Sequence, residues 1–235
     1  MSIAAKICGL STAAAVATAV AEGAAFVGFI FYPPSPRAIS AEKAAELCAG
    51  TPRTVARVGT FVDADDDAIA SVLEAAPIDI LQFHGNESPA RVADAQARFA
   101  RPVMKAVSIA GAEDVAASIQ YEDVADMLLF DAKPPRRANA LPGGNGLAFD
   151  WGLIAGRSWR RPWMLSGGLS AEFLPEAVRI SGAKMVDVSS GVESHPGVKD
   201  LSKIRAFMAA APGCDMLHRK PVLLSQCLRL RSQPT

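Results

Sequence analysis

The sequence predicts a single-domain α/β fold, a (β/α)8 TIM barrel spanning residues 1–212. Roughly eight β-favouring apolar runs alternate with helix-prone segments. Several of those runs are hydrophobic almost without interruption, as strands covered on both faces of a parallel sheet are. No linker, repeat or low-complexity stretch divides the chain. A doubly wound open sheet is the alternative, but it usually has fewer strands and a Gly-rich first turn, which Cys8-Gly9-Leu10-Ser11 does not offer.

The first strand is Lys6-Ile7-Cys8, ending at Gly9. Alternation puts Lys6 and Cys8 on one face and Ile7 on the other. Ser11 is the expected cap of a helix reaching residue 21. Residues 24–31 form the second strand, and residues 32–37 a loop in which Pro33, Pro34 and Pro36 fix the backbone. A helix over 40–49 leads to a third strand over 54–62. The next helix, 64–75, has Asp65, Asp66 and Asp67 in its first turn, where the helix dipole favours anions. The fourth strand, 78–83, ends at His84-Gly85, and Pro89 occupies the first position of the helix over 88–99. A fifth strand (102–107), a helix (112–119) and a sixth strand (127–131) follow, then a long polar loop over 132–146 and a short helix over 149–155. The seventh strand, 163–166, runs into Gly167-Gly168, with Ser170 capping a helix over 171–180. The eighth strand is 185–188 and the closing helix 199–211. Residues 213–235 are expected to form a tail outside the barrel.

Composition narrows the function. Among 235 residues, 24 Lys+Arg balance 24 Asp+Glu, so no basic excess points to nucleic acid. The uncharged stretch 7–21 is interrupted by Gly9 and Ser11-Thr12 and is too short to span a bilayer, so no membrane association is expected. Cys8, Cys48, Cys214 and Cys227 form no close-set pair, and only three histidines are present. No metal site is expected, and free thiols fit a reducing cytoplasm. No cofactor motif stands out.

Every candidate for chemistry falls at the carboxyl end of a predicted strand or just beyond it. They are Cys8, Arg37, Gln82, His84, Asp131, Gly167-Gly168 and Asp187 with Ser189-Ser190-Gly191. The βα loops of a barrel converge on one face, so these residues should meet there. Gly167, Gly168, Ser189, Ser190 and Gly191 occupy the loops after strands seven and eight, the usual phosphate site of such barrels. A guanidinium at Arg37 could take a carboxylate in bidentate fashion. Asp131 ends a strand of pure hydrophobes, Met127-Leu128-Leu129-Phe130. Lys6, on the same strand face as Cys8, is expected to favour its thiolate.

The chain resembles the phosphoribosylanthranilate isomerase family. The resemblance covers residues 6–211. It rests on Lys6-Ile7-Cys8-Gly9-Leu10, Val27-Gly28-Phe29 with Tyr32-Pro33-Pro34-Ser35-Pro36-Arg37, and Gln82-Phe83-His84-Gly85. Leu141-Pro142-Gly143-Gly144, Leu165-Ser166-Gly167-Gly168-Leu169 and Val186-Asp187-Val188-Ser189-Ser190-Gly191-Val192-Glu193 complete it. Asn145 stands where the family usually has threonine, and Phe83 and Asn86 replace a usual leucine and aspartate. The resemblance implies an Amadori rearrangement in tryptophan biosynthesis that needs no cofactor. N-(5-phosphoribosyl)anthranilate becomes 1-(2-carboxyphenylamino)-1-deoxyribulose 5-phosphate, with Asp131 as general acid and Cys8 as general base. Arg37 is implied as partner of the anthranilate carboxylate, and Gln82, His84, Gly144 and Asp187 as further substrate contacts. The expected partner is a small phosphosugar, and the expected state a monomer or a homodimer.

Two other readings compete. A different phosphosugar barrel, such as an indole-glycerol-phosphate synthase or a carbon–carbon lyase, would rely on a catalytic lysine, and Lys105 is the strand lysine placed for that. A phosphate-binding sensor or scaffold would not need an acid–base pair.

Overall fold

The computed structural model describes residues 3–134 and 141–211. Its centre is a closed barrel of eight parallel strands in chain order. These are β1 (Ala4–Ile7), β2 (Phe26–Ile30), β3 (Ala56–Phe61), β4 (Ile80–Phe83), β5 (Val103–Ile109), β6 (Met127–Ala132), β7 (Trp163–Leu165) and β8 (Met185–Val188). The first and last strands close the ring, with Lys6 opposite Asp187. Outside run α1 (Ala13–Ala21), α2 (Ala41–Ala49), α3 (Asp66–Ala75), α4 (Pro89–Phe99), α5 (Ala112–Ser118), α6 (Leu174–Ser181) and α7 (Leu201–Ala210). No helix among the described residues is long and apolar enough to cross a membrane.

The period of two along each strand sorts the core into two layers. Phe26, Val58, Ile80, Met104, Ala106, Leu129, Met164 and Met185 fill the barrel interior. The alternate residues, among them Ile7, Val27, Leu81, Leu128, Phe130 and Val186, pack against the helices. The same alternation carries the polar side chains. Lys6 and Cys8, Gln82 and His84, Asp131, and Asp187 continue the inward rows toward the carboxyl ends of their strands. Lys105 lies between inward Met104 and Ala106, so it faces the helices.

Several elements differ in detail from expectation. Thr12, not Ser11, caps α1, its hydroxyl accepting from Ala15 N at 3.3 Å, because Gly9, with φ +73°, first turns the chain away from β1. Ser170 opens a turn rather than a helix, and α6 begins at Leu174. In place of the helix over 149–155 stands one 3-10 turn, Trp151–Leu153. After β8 a hairpin appears that the sequence reading lacked, β9 (Glu193–His195) with β10 (Val198–Lys199). The expected tail, 213–235, lies outside the described residues, as do residues 135–140 of the sixth loop.

Candidate active site

At the carboxyl end of the barrel lies a cavity open to solvent. Cys8, Arg37, His84, Asp131, Gly144, Gly167, Gly168, Asp187, Ser189 and Ser190 all line it. Gln82 and Gly191 do not. Gln82 is buried behind His84, and a Cβ on Gly191 would overlap the Leu169 carbonyl oxygen, so that glycine packs loop eight against loop seven.

Cys8 sits just past β1, 5% exposed, facing the cavity. Its neighbour Lys6 is fully buried and pairs with Asp187 Oδ1 at 2.9 Å. Burial opposes the charge on Lys6. The Asp187 carboxylate, with a smaller contribution from Cys8, outweighs that and raises the ammonium's pKa above its ordinary value. Asp187 Oδ2 also accepts from Ser166 Oγ at 3.2 Å. Gly28 stands opposite, where a Cβ would lie 3.0 Å from Cys8 Sγ and 3.1 Å from Lys6 Cε, tighter than ordinary contact.

Asp131 follows the apolar run of β6 and is 5% exposed. Its Oδ1 accepts from Ala132 N at 2.9 Å, and its Oδ2 lies 3.1 Å from His84 Nε2. On the far side of the ring, Gln82 Nε2 donates to His84 Nδ1 at 3.0 Å, which leaves the ring proton on Nε2, facing Asp131. His84 thus serves a positioned carboxyl, and Gln82 sets its tautomer. Among the described residues, Gln82 Oε1 and the cavity-lining Thr60 Oγ1 have no hydrogen-bond partner.

Arg37, on the loop after β2, already holds a carboxylate. Its Nε and Nη2 donate to Glu193 Oε1 and Oε2 at 2.7 and 2.8 Å, and both side chains are buried. Nη2 also donates to Gly144 O at 3.2 Å. That leaves Nη1 for another acceptor. Burial works against the charge on Glu193, but the bonds from Arg37 and the attraction of Lys199 hold its carboxyl below its ordinary pKa. Glu193 and Lys199 escaped the sequence reading of the site. The signal for their hairpin was present, since Pro196-Gly197 is a turn dipeptide.

Gly167 and Gly168 adopt φ of +85° and +67°, in the left-handed region glycine tolerates. Ser190–Val192 forms a single 3-10 turn after β8. Both loops face the cavity with small side chains.

Lys105 does not reach the cavity. Its Nζ donates to Gly85 O at 2.7 Å and Glu87 Oε2 at 2.9 Å, on the helix side of β5. The lysine-dependent alternative loses its residue by strand parity. Among the described residues no group of three or more His, Cys, Asp or Glu could hold a metal ion.

Barrel and cavity, with a thiol, carboxyls, an imidazole and a guanidinium on the cavity wall, define the class: a (β/α)8 barrel enzyme acting on a small molecule. Residues 5–210 match the family model described as N-(5'phosphoribosyl)anthranilate (PRA) isomerase. The chain is 56% identical over 211 residues to the N-(5'-phosphoribosyl)anthranilate isomerase of Paracoccus denitrificans, covering 90% of this chain and 98% of that one. The corresponding isomerase of Paramagnetospirillum magneticum is 52% identical over 213 residues, covering 91% and 99%. Among solved structures, the phosphoribosyl anthranilate isomerase of Thermotoga maritima superposes with a TM-score of 0.81 at 35% identity, covering 90% of this chain and 99% of that one. Another such isomerase, in complex with reduced 1-(o-carboxyphenylamino)-1-deoxyribulose 5-phosphate, gives 0.78 at 33% identity, covering 90% and 99%. The chain belongs to the N-(5'-phosphoribosyl)anthranilate isomerase family.

Proposed function

We propose that Cys8 and Asp131 divide the proton transfers of the family's reaction, the isomerisation of N-(5'-phosphoribosyl)anthranilate in tryptophan biosynthesis. Asp131 gives a proton to the furanose ring oxygen as the C1′–O bond breaks and the anthranilate nitrogen's electron pair forms a Schiff base. Cys8, as thiolate, then removes the proton from C2′, and the electron pair left behind makes the enolamine. Tautomerisation returns a proton to C1′ and gives the ketone, with no net change in atoms. His84 Nε2, 3.1 Å from Asp131 Oδ2, holds that carboxyl in place beside the cavity.

The remaining roles follow the chemistry of the wall. Arg37 Nη1 takes the anthranilate carboxylate beside Gly144. Backbone N–H groups at Gly167, Gly168, Ser189 and Ser190 take the phosphate, with Gly191 holding the two loops together. Asp187 and Ser166 present polar atoms to the sugar, and Gln82 acts through His84. Residues 1–212 are the catalytic unit, acting in the cytoplasm as a monomer or a homodimer on a small phosphosugar, without nucleic acid. The observation that carries this reading is that Cys8 and Asp131, 123 positions apart in the chain, line one cavity that Arg37 also lines. The test is growth without tryptophan of a strain lacking this isomerase. The chain should restore growth, and the Cys8→Ser and Asp131→Asn variants should not; full rescue by both variants would remove the assignment.

A further inference from the structure

Glu193 and Lys199 lie outside the cavity wall, yet they join two residues that line it, Arg37 and Ser189. They are register partners in the β9–β10 hairpin. Glu193 grips Arg37 through both carboxylate oxygens. Lys199 donates to Glu193 Oε1 at 2.7 Å, to Ser189 O at 2.9 Å and to Ser189 Oγ at 3.2 Å. Ser189 Oγ in turn donates to Cys8 O at 3.2 Å. Both charged side chains are almost wholly buried, 4% and 2% exposed. The hairpin is seated on the arginine's own loop, since a Cβ on Gly197 would lie 2.5 Å from Pro36 O. Lys203 Nζ ties Glu193 O to α7 at 2.6 Å.

We propose that Glu193 and Lys199 are positioning residues, a charged strut that fixes the distance between Arg37 and Ser189 and so selects phosphosugars bearing a second anion at that separation. The inference rests on the reading that Arg37 and the Ser189 loop are the carboxylate and phosphate subsites. A guanidinium held in bidentate fashion presents its free edge in one orientation. A ligand with an anion at each end binds as a bivalent one, so its affinity depends on the spacing of the two subsites as well as on each alone. The strut also holds two cations to one carboxylate, and the excess positive charge lies beside a loop of neutral residues that must receive a phosphate.

The experiment compares Glu193→Gln, Glu193→Asp and Lys199→Met, each in the full chain, with Arg37→Met as reference. It measures kcat, KM and the inhibition constants of two one-ended probes, anthranilate and ribose 5-phosphate. The strut variants should raise KM by about tenfold or more, the scale of a lost charged hydrogen bond, with a smaller fall in kcat. Neither probe's inhibition constant should rise by more than about a third of that factor, because each subsite survives while their spacing does not. Glu193→Asp keeps the charge and shortens the reach, so its KM should fall between those of the parent and Glu193→Gln. An unchanged KM in Glu193→Asp and Lys199→Met overturns the proposal even if Glu193→Gln fails to fold. A rise in one probe's constant that matches the rise in KM overturns it too, since the pair would then merely build one subsite. If Arg37→Met moves neither KM nor the anthranilate constant, the subsite reading fails instead, whatever the strut variants do.

Discussion

Cys8 faces the cavity from a strand whose neighbouring ammonium is already engaged by Asp187. The carboxylate of that pair sets a negative charge against the ammonium's positive one beside the thiol. Asp131 meets the opposite arrangement, a carboxyl at the end of four buried apolar residues, backed by a single imidazole. General acid and base groups each contribute about 10²–10⁴-fold. Cys8→Ser and Asp131→Asn should each lower kcat by that order in steady-state assays, with melting temperatures within a few degrees of the parent. A kcat within tenfold of the parent in either variant would show that residue to be a bystander.

At the scale of elements, strand parity decides which lysine can do what. Lys105 sits on the helix face of β5 and holds the turn after β4 through Gly85 O and Glu87. Glu87 in turn accepts from Asp63 N and Gly85 N, which joins the loops after β3 and β4. Lys105→Met leaves a buried carboxylate without its partner, so a loss of about 3–5 kcal/mol is expected from urea unfolding. Turnover should persist in the folded fraction at 25 °C. A stable variant without turnover would return Lys105 to catalysis. The β9–β10 hairpin works at the same scale, bringing Lys199 to Ser189 across the cavity's outer edge. Burial lowers the Lys199 pKa, and Glu193 opposes that shift.

For the whole molecule, one ion pair in the interior spans the closure of the barrel. Lys6 and Asp187 are register partners on the first and last strands. Removing Lys6 alone would leave Asp187 buried, with Ser166 as its remaining side-chain hydrogen-bond partner among the described residues, and should cost about 3–5 kcal/mol. Replacing both, as Lys6→Met with Asp187→Leu, should recover much of that in the same unfolding measurement. A single Lys6→Met as stable as the parent would show that the pair does not close the ring. The pH dependence has a definite sign. The folded protein raises the Lys6 pKa above its ordinary 10.5. The stabilisation is therefore fully present below that value and is lost as pH rises through the folded one. Thermal melts of parent and Lys6→Met should keep their full separation from pH 8 to about 10 and draw closer, without meeting, as pH rises from there to 12. Ending the chain after Ala211 should leave kcat/KM and melting temperature unchanged, because the closed barrel and the cavity lie within the described residues up to that point. A folded but inactive truncation would place part of the function in residues 212–235.

What was legible in the sequence was whatever depends on local pattern. Apolar runs such as Met127–Phe130, the Pro89 helix start, and the side-chain alternation at Lys6-Ile7-Cys8 pointed to eight strands and a row of polar residues at their carboxyl ends. These follow from periods of 2 and 3.6 residues, which each segment carries on its own. The partners of the buried charges were not legible. Lys6 with Asp187, and Arg37 with Glu193, are separated by 181 and 156 positions. Nothing in a strand's own residues says which charge will face it once the ring closes, so only the tertiary structure could decide that Arg37 arrives with a carboxylate already in hand and that Lys105 points away from the cavity.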